Sequence, residues 1–286
     1  MLDEIENFVN WIRRRNPNSR TWRDYRYDLA QFITVVGDRS PDDISIQDID
    51  RFVIQQSERG LQPSTINRRL AAITSLYLFI SDEDSSLICP ILPHRHSLRE
   101  PSRLPRPVPE TDLRKFFAVI QGSRDRAMFL LMLRSGLRIA EVASLLVSDL
   151  FLDEFTPRLL VRGKGGKERI VYLSPQTLQA LHAYLAERPP FDCEHLFLSY
   201  QGKGLSTTAI HKRLMLYRDR AGLDLTAHRL RHTFANDLVS ADVPVTTIQK
   251  LLGHTWLVTT QNYIAANDKK VQADFYAVCE RLESWQ

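Results

Sequence analysis

Apolar residues recur along the first eighty positions at the three-and-four spacing of amphipathic helices. Leu2 to Arg15 places Ile5, Phe8, Val9 and Ile12 on one face. A second helix, capped by Ser19 or Thr21, is predicted to run to about Val36, with Trp22, Tyr25, Leu29, Phe32 and Ile33 inward. A third begins at Asp48, carries Ile49, Phe52 and Val53, and stops at Gly60. A fourth, capped by Ser64, carries Ile66, Leu70, Ile73, Tyr77 and Ile80. Arg68 and Arg69 lie near its N-terminal end. A helix N-terminus with arginines beside it suits a DNA phosphate, and a solvated basic face explains the same pair equally well.

The pattern then breaks. Pro90, Pro93, Pro101, Pro105, Pro107 and Pro109 alternate with His94, Arg95, His96, Arg99 and Arg103. Prolines this dense predict no regular helix or central strand, but an extended basic linker over residues 89–108. Residues 1–88 form one predicted domain and 109–286 another. In the second, short helices are expected at Glu110–Ile120, Asp125–Arg134 and from Arg138 to Leu146. RLLVRGKGGKERIVYL alternates about a glycine turn, with Leu160 and Arg162 before it and Ile170 and Tyr172 after it, which predicts a β-hairpin. Helices follow at Gln176–Glu187, Thr207–Ala221, His228–Ser240 and Val245–Leu252, and a last one bears Val271, Phe275, Val278 and Leu282 on one side. The fold class is therefore mainly α with a small β-sheet: a helical bundle followed by an α+β domain.

Charge sharpens the division. Residues 1–100 hold 13 arginines against 15 acidic residues, whereas residues 101–286 hold 25 basic against 19 acidic ones. A basic second half permits nucleic-acid binding without requiring it. No apolar run reaches the roughly 18 residues of a membrane span, and the acidic start MLDEIENFVN has no signal-peptide character. Cys89, Cys193 and Cys279 are scattered and odd in number, which suggests neither a disulfide framework nor a zinc site and fits a cytoplasmic location.

Four segments of the second half carry candidate chemistry: SGLRIAEV with Arg138 and Glu141, VRGKGGKERIVYL with Lys164, HRLRHTFA with His228 and Arg231, and LLGHTWLVTTQNYI with His254 and Tyr263. Each has an ordinary reading. Arg138 can simply open a surface helix. GKGGK departs from the phosphate-loop pattern because Lys167 precedes Glu168 rather than Ser or Thr, and reads as a hairpin turn with solvated lysines. His228 and His232 have metal-ligand spacing, yet Arg-Leu-Arg between them sets positive charge beside any cation. His254 can cap a helix, and Tyr263 can belong to a core.

Taken together, the segments resemble the tyrosine recombinase (phage integrase) family, particularly its Xer-like members. Its pattern is an arginine after Gly-Leu, a lysine in a hairpin turn, His-x-x-Arg, a histidine after Leu-Gly and a tyrosine nine residues later. Here these fall on Arg138, Lys164, His228, Arg231, His254 and Tyr263. The first helices, with STINRRLAAI, resemble the family's SAM-like core-binding domain. Trp256-Leu257 and Ile264-Ala265 depart from the common pattern without touching a catalytic position.

The resemblance implies metal-free and cofactor-free transesterification at a DNA phosphodiester. Tyr263 is the implied nucleophile, leaving a 3′-phosphotyrosine. Arg138 and Arg231 clamp the nonbridging oxygens, Lys164 protonates the leaving oxygen, His228 assists proton transfer, His254 binds the phosphate, and Glu141 supports the arginines or a histidine. Implied partners are double-stranded DNA at specific sites and a tetramer, of this chain alone or with a related recombinase, working through a Holliday junction. The last helix is expected to dock into a neighbouring subunit, although packing in cis gives the same pattern. The process served is dimer resolution, integration or transposition. A type IB topoisomerase is the main alternative, with a catalytically degenerate DNA-binding module and a metal-dependent nuclease behind it.

Overall fold

The computed structural model describes the chain except residues 18, 101–106, 154, 164–166, 242, 254–274, 280–281 and 284–286 and the side chain of residue 245. It divides into two compact units, Met1–Arg103 and Leu104–Gln286.

The first unit is a bundle of α1 (Leu2–Arg15), α2 (Thr21–Val36), α3 (Ile46–Glu58) and α4 (Pro63–Ser81), with a single turn α5 (Pro93–His96). The apolar stripes meet in a core around Phe8, Leu29, Phe32, Ile49, Phe52, Ile66, Ile73 and Leu76. Phe32 and Phe52 pack edge to face with centroids 5.3 Å apart, a favoured aromatic geometry. Three helix starts differ from the sequence expectation. Arg20, not Ser19 or Thr21, is the N-cap of α2. Ser45, not Asp48, caps α3: its hydroxyl accepts the Asp48 N–H (3.3 Å) while the Asp48 carboxylate accepts the Ser45 N–H (3.0 Å), a reciprocal capping box. Pro63, not Ser64, opens α4, because proline's fixed φ and missing N–H suit the first helical position.

The proline-rich stretch also departs from expectation. Pro93 starts the turn α5 by the same first-position rule. His96 is buried, and its Nδ1 accepts the Leu92 N–H at 2.9 Å. The Leu98 backbone exchanges two hydrogen bonds with the Asn67 side chain, at 2.9 and 2.8 Å. Residues through Leu98 thus pack on the first core rather than hang free.

The second unit contains α6 (Glu110–Ala118), α7 (Ser123–Arg134), α8 (Ile139–Ser144), strands β1 (Leu150–Phe151), β2 (Arg158–Arg162) and β3 (Glu168–Tyr172), then α9 (Pro175–Glu187), α10 (Thr207–Ala221), α11 (Ala227–Ser240) and α12 (Val245–Leu252). Every residue from Ala127 to Leu133 is buried, as befits a central helix apolar on all sides. It packs against α9 and α11. The sheet is antiparallel in the order β1-β2-β3. Leu160 pairs with Ile170 and Arg162 with Glu168, so Leu159, Val161 and Val171 fill the inner face. The two-residue β1 was not expected from the sequence.

Residues 275–279 are helical, and Phe275, Val278 and Cys279 are buried against Tyr172, Phe234 and Leu238 of the same chain. Arg134 Nη2 donates to the Leu282 carbonyl at 3.0 Å. The described residues of this segment pack on β3 and α11 of the same chain, one of the two arrangements the sequence allows. Val271 lies outside the described residues.

Because the first core is separate, Phe52→Ala should lower that unit's stability by about 3–5 kcal/mol. In urea the first unit's transition should move to lower concentration while that of the second unit stays put.

Candidate active site

The candidate site is built where α8 begins, where α11 begins and where α12 ends. Gly136 allows the tight entry to α8: its φ is +66°, and a Cβ there would lie 2.5 Å from the Phe234 ring. Neither the dihedral nor the space admits a side chain. Arg138 then occupies the α8 N-cap, and Glu141 stands three residues into the helix.

Glu141 is 5% exposed. Its Oε2 accepts the Arg138 backbone N–H at 2.7 Å and its Oε1 accepts from Arg138 Nη1 at 3.0 Å. Arg169, on β3, grips the same carboxylate with both ends of its fork, Nη1 to Oε1 and Nη2 to Oε2, each at 2.8 Å. Arg231, one turn into α11, brings its Nη1 within 3.8 Å of Oε2. Burial pushes the Glu141 carboxyl up, but the Arg169 hydrogen bonds and charge, with help from Arg138, hold it below the ordinary glutamate value. It is ionised at neutral pH.

The end of α12 completes the frame. Its last carbonyls lack partners within the helix. Arg169 Nε donates to Leu251 O at 3.0 Å, Arg231 Nη2 to Leu252 O at 2.6 Å and Arg138 Nη1 to Leu252 O at 3.5 Å. Arg231 Nη1 also donates to the Gly136 carbonyl. Cations at a helix C-terminus oppose its partial negative charge favourably.

Among the described residues, three guanidinium groups therefore share one carboxylate, leaving about two positive charges over. The Arg231 guanidinium shows the strain of this. Burial first, then Arg138 and Arg169, lower its pKa to about 10 against the pull of Glu141. It remains protonated at neutral pH, and a bound anion would relieve the repulsion. The Arg138 side chain is 44% exposed, so it can offer donors outward. His228 lies in the first turn of α11, and its ring meets that of His232 edge to face with centroids 4.2 Å apart. Burial, then His228 and Arg231, lower the His232 pKa, which favours a neutral ring there.

The structure thus brings together Arg138, Glu141 and Arg231, with His228 one turn from Arg231. Lys164, His254 and Tyr263 lie outside the described residues. Arg69 is turned into the first unit, buried between Gln56 and Asp28 and bonded to the Gln56 side chain. Its expected place along a phosphate backbone is therefore corrected, because its guanidinium serves the buried Asp28. Arg68 pairs with the same Asp28 at 2.5 Å but keeps its side chain about half exposed. Sequence reading missed Arg169. The signal was present: Arg169 and the buried Val171 share the inner face of β3, an unusual register for a charged residue. Among the described residues no group of histidine, cysteine and acidic side chains is arranged to hold a metal.

The phage integrase family model matches residues 108–270, and the phage integrase N-terminal SAM-like domain matches residues 5–84. The chain belongs to the phage integrase family. The tyrosine recombinase XerC of Roseiflexus sp. (strain RS-1) is 32% identical over 297 residues, covering 93% of this chain and 90% of that protein. The structure of XerH bound to a palindromic difH substrate, a post-cleavage complex, superposes with a TM-score of 0.70 at 24% identity, over 92% of this chain and 78% of that one. A lambda integrase tetramer bound to a Holliday junction gives 0.69 at 18% identity, over 91% and 79%. Tyrosine recombinases of this family cleave and rejoin DNA, and the topoisomerase alternative is not favoured. The SAM-like and α+β fold expected from the sequence is the one observed.

Glu141→Gln should destabilise the second unit by about 3–5 kcal/mol at neutral pH, by breaking buried ion pairs. The sign follows from the depressed carboxyl pKa: the stabilisation is present above the unfolded value near 4.5 and is lost as pH falls through the lower folded value. Urea midpoints of variant and parent should converge below pH 4.5.

Proposed function

We propose that this chain is a site-specific DNA recombinase in which Tyr263 is the nucleophile and Arg138 and Arg231 hold the scissile phosphate. The observation that carries this reading is the surplus positive charge of three arginines around Glu141, in a chain of the phage integrase family. Arginines stay charged at working pH and can give paired hydrogen bonds to nonbridging oxygens, whose negative charge grows in the transition state.

In the first step the Tyr263 oxygen bonds to phosphorus and the bond to the 5′ oxygen breaks. A free phenol, with a pKa near 10, is a weak nucleophile at neutral pH and needs neighbours that take its proton or stabilise its anion. His228 assists that transfer. Lys164 gives a proton to the departing 5′ oxygen, and His254 hydrogen-bonds the phosphate. The product is a 3′-phosphotyrosine and a free 5′-hydroxyl. Attack by a 5′-hydroxyl from a second duplex reverses the step and exchanges strands. Exchange of one pair of strands makes a Holliday junction and exchange of the second pair resolves it, so the working unit is a tetramer on two duplexes, of this chain or of this chain with a related recombinase. The lambda integrase tetramer has a comparable fold and supports that assembly. The reaction requires no metal or cofactor. Among the described residues no helix is long and apolar enough to cross a membrane, and DNA as substrate favours action in the cytoplasm. Arg68 is the candidate phosphate contact of the first unit. Dimer resolution, integration and transposition all use this chemistry.

Tyr263→Phe should form no covalent DNA adduct under denaturing recovery while its DNA affinity stays within about threefold; adducts formed by that variant would falsify the nucleophile assignment. Sequencing DNA trapped on the parent protein identifies the site. On that site, Lys164→Ala should cleave roughly 10²–10⁴-fold more slowly. A 5′-bridging sulfur in place of oxygen should restore most of the rate, since a thiol, with a pKa of about 8.5, leaves without protonation. Equal slowing on both substrates would show that Lys164 is not the general acid.

A further inference from the structure

We propose that Arg169 is a positioning residue for the phosphate clamp, keeping Arg138 and Arg231 aimed by saturating the carboxylate they share. The inference rests on the reading of Arg138 and Arg231 as phosphate ligands. All three faces of the Arg169 guanidinium are used inside the protein: two ends on Glu141 at 2.8 Å each and Nε on the Leu251 carbonyl at 3.0 Å. Its side chain is 11% exposed, against 44% for that of Arg138. Each nitrogen of Arg169 is thus engaged within the protein, two of them on Glu141, and its action is read as passing through that carboxylate.

The alternative arrangement makes the role plain. Without Arg169, the Glu141 carboxylate would have only Arg138 and Arg231 to neutralise it. A buried carboxylate draws in the nearest cations. Both clamp arginines would turn inward, each committing to Glu141 donors that a phosphate needs. The planar fork of Arg169 fits both carboxylate oxygens at once, which a lysine cannot do.

Arg169 also joins three segments that matter to the site. It sits on β3, which follows the hairpin turn containing Lys164 in the sequence. Its carboxylate partner stands on α8 with Arg138, and its carbonyl partner ends α12, three residues before His254 in the sequence. Gly253 leaves room for this. With φ at +61°, a Cβ at Gly253 would come within 3.0–3.3 Å of the Arg169 side chain. The bare backbone there lets the arginine arm lie against the helix end.

The test uses the full chain and a nicked duplex carrying the site recovered by trapping, with single-turnover adduct formation measured at saturating protein. Arg169→Gln should lose about 10²-fold in rate, the scale of a misplaced catalytic group, with DNA affinity within about threefold. Arg169→Lys should recover only part of the rate. In a Glu141→Gln background, Arg169→Gln should add less than about threefold. The acid limb of the rate profile should move to higher pH in Arg169→Gln, because Glu141 has lost its main ionising partner; a residue serving the fold alone would not move it. A rate within threefold of the parent for folded Arg169→Gln, or independent additive losses in the double variant, overturns the inference. If Arg169→Gln does not fold, a folded Arg169→Lys at the parent rate overturns it, and a slowed one with a shifted acid limb supports it. Tyr263→Phe run alongside separates the two levels. Adducts in that variant overturn the phosphodiester reading and the inference with it, whereas an inactive Tyr263→Phe beside a fully active Arg169→Gln overturns the inference alone.

Discussion

One buried carboxylate organises the catalytic unit. Glu141 accepts hydrogen bonds from the backbone and side chain of Arg138 and from both ends of Arg169, and stands within reach of Arg231. A single negative charge cannot balance three positive ones. Like charges held this close in a partly dry setting repel strongly, and the folded state tolerates them because each guanidinium also donates to a backbone carbonyl. The surplus charge is a physical property that suits the place to an anion.

Those carbonyls come chiefly from the end of α12, so helix geometry and electrostatics act together. The helix leaves its last carbonyl groups unpaired and carries partial negative charge there. The three arginines satisfy both. Gly136 and Gly253 supply the two left-handed positions that let the chain turn closely enough for this meeting. The apolar parts of the unit serve the same end. The wholly buried α7 fixes α9 and α11 around it, and Phe275 and Val278 cover the outer side of Phe234 and Tyr172. Glu141, Arg169 and Arg231, drawn from distant parts of the chain, are thereby placed by helices and a strand rather than by loops.

The first unit uses its charges differently. Asp28 is fully buried, and burial pushes its carboxyl pKa up against the charges of Arg68 and Arg69. The two arginines answer that internal need before any external one. An arginine near a helix start thus cannot be taken for a phosphate ligand until its own neighbours are known.

Most of the helices were legible in the sequence because amphipathic spacing is a local property: Ile5, Phe8, Val9 and Ile12 must share a face wherever the helix goes. The candidate catalytic residues were singled out by their order and spacing, and the hairpin by alternation about its glycines. Helix starts at Ser45 and Pro63 needed the actual caps. The single turn at Pro93 and the packing of Leu98 on Asn67 were hidden because proline reports only what a backbone cannot do. Arg169 was not singled out in the sequence. Its role depends on Glu141 lying 28 residues earlier and Leu251 lying 82 residues later, and no local pattern encodes such distances. The sequence by itself determined which elements form and which side chains are chemically able to act. Tertiary structure alone decided which of the arginines are spent inside the protein and which keep donors at the surface, because that follows from the burial and pairing of charges brought together from distant positions.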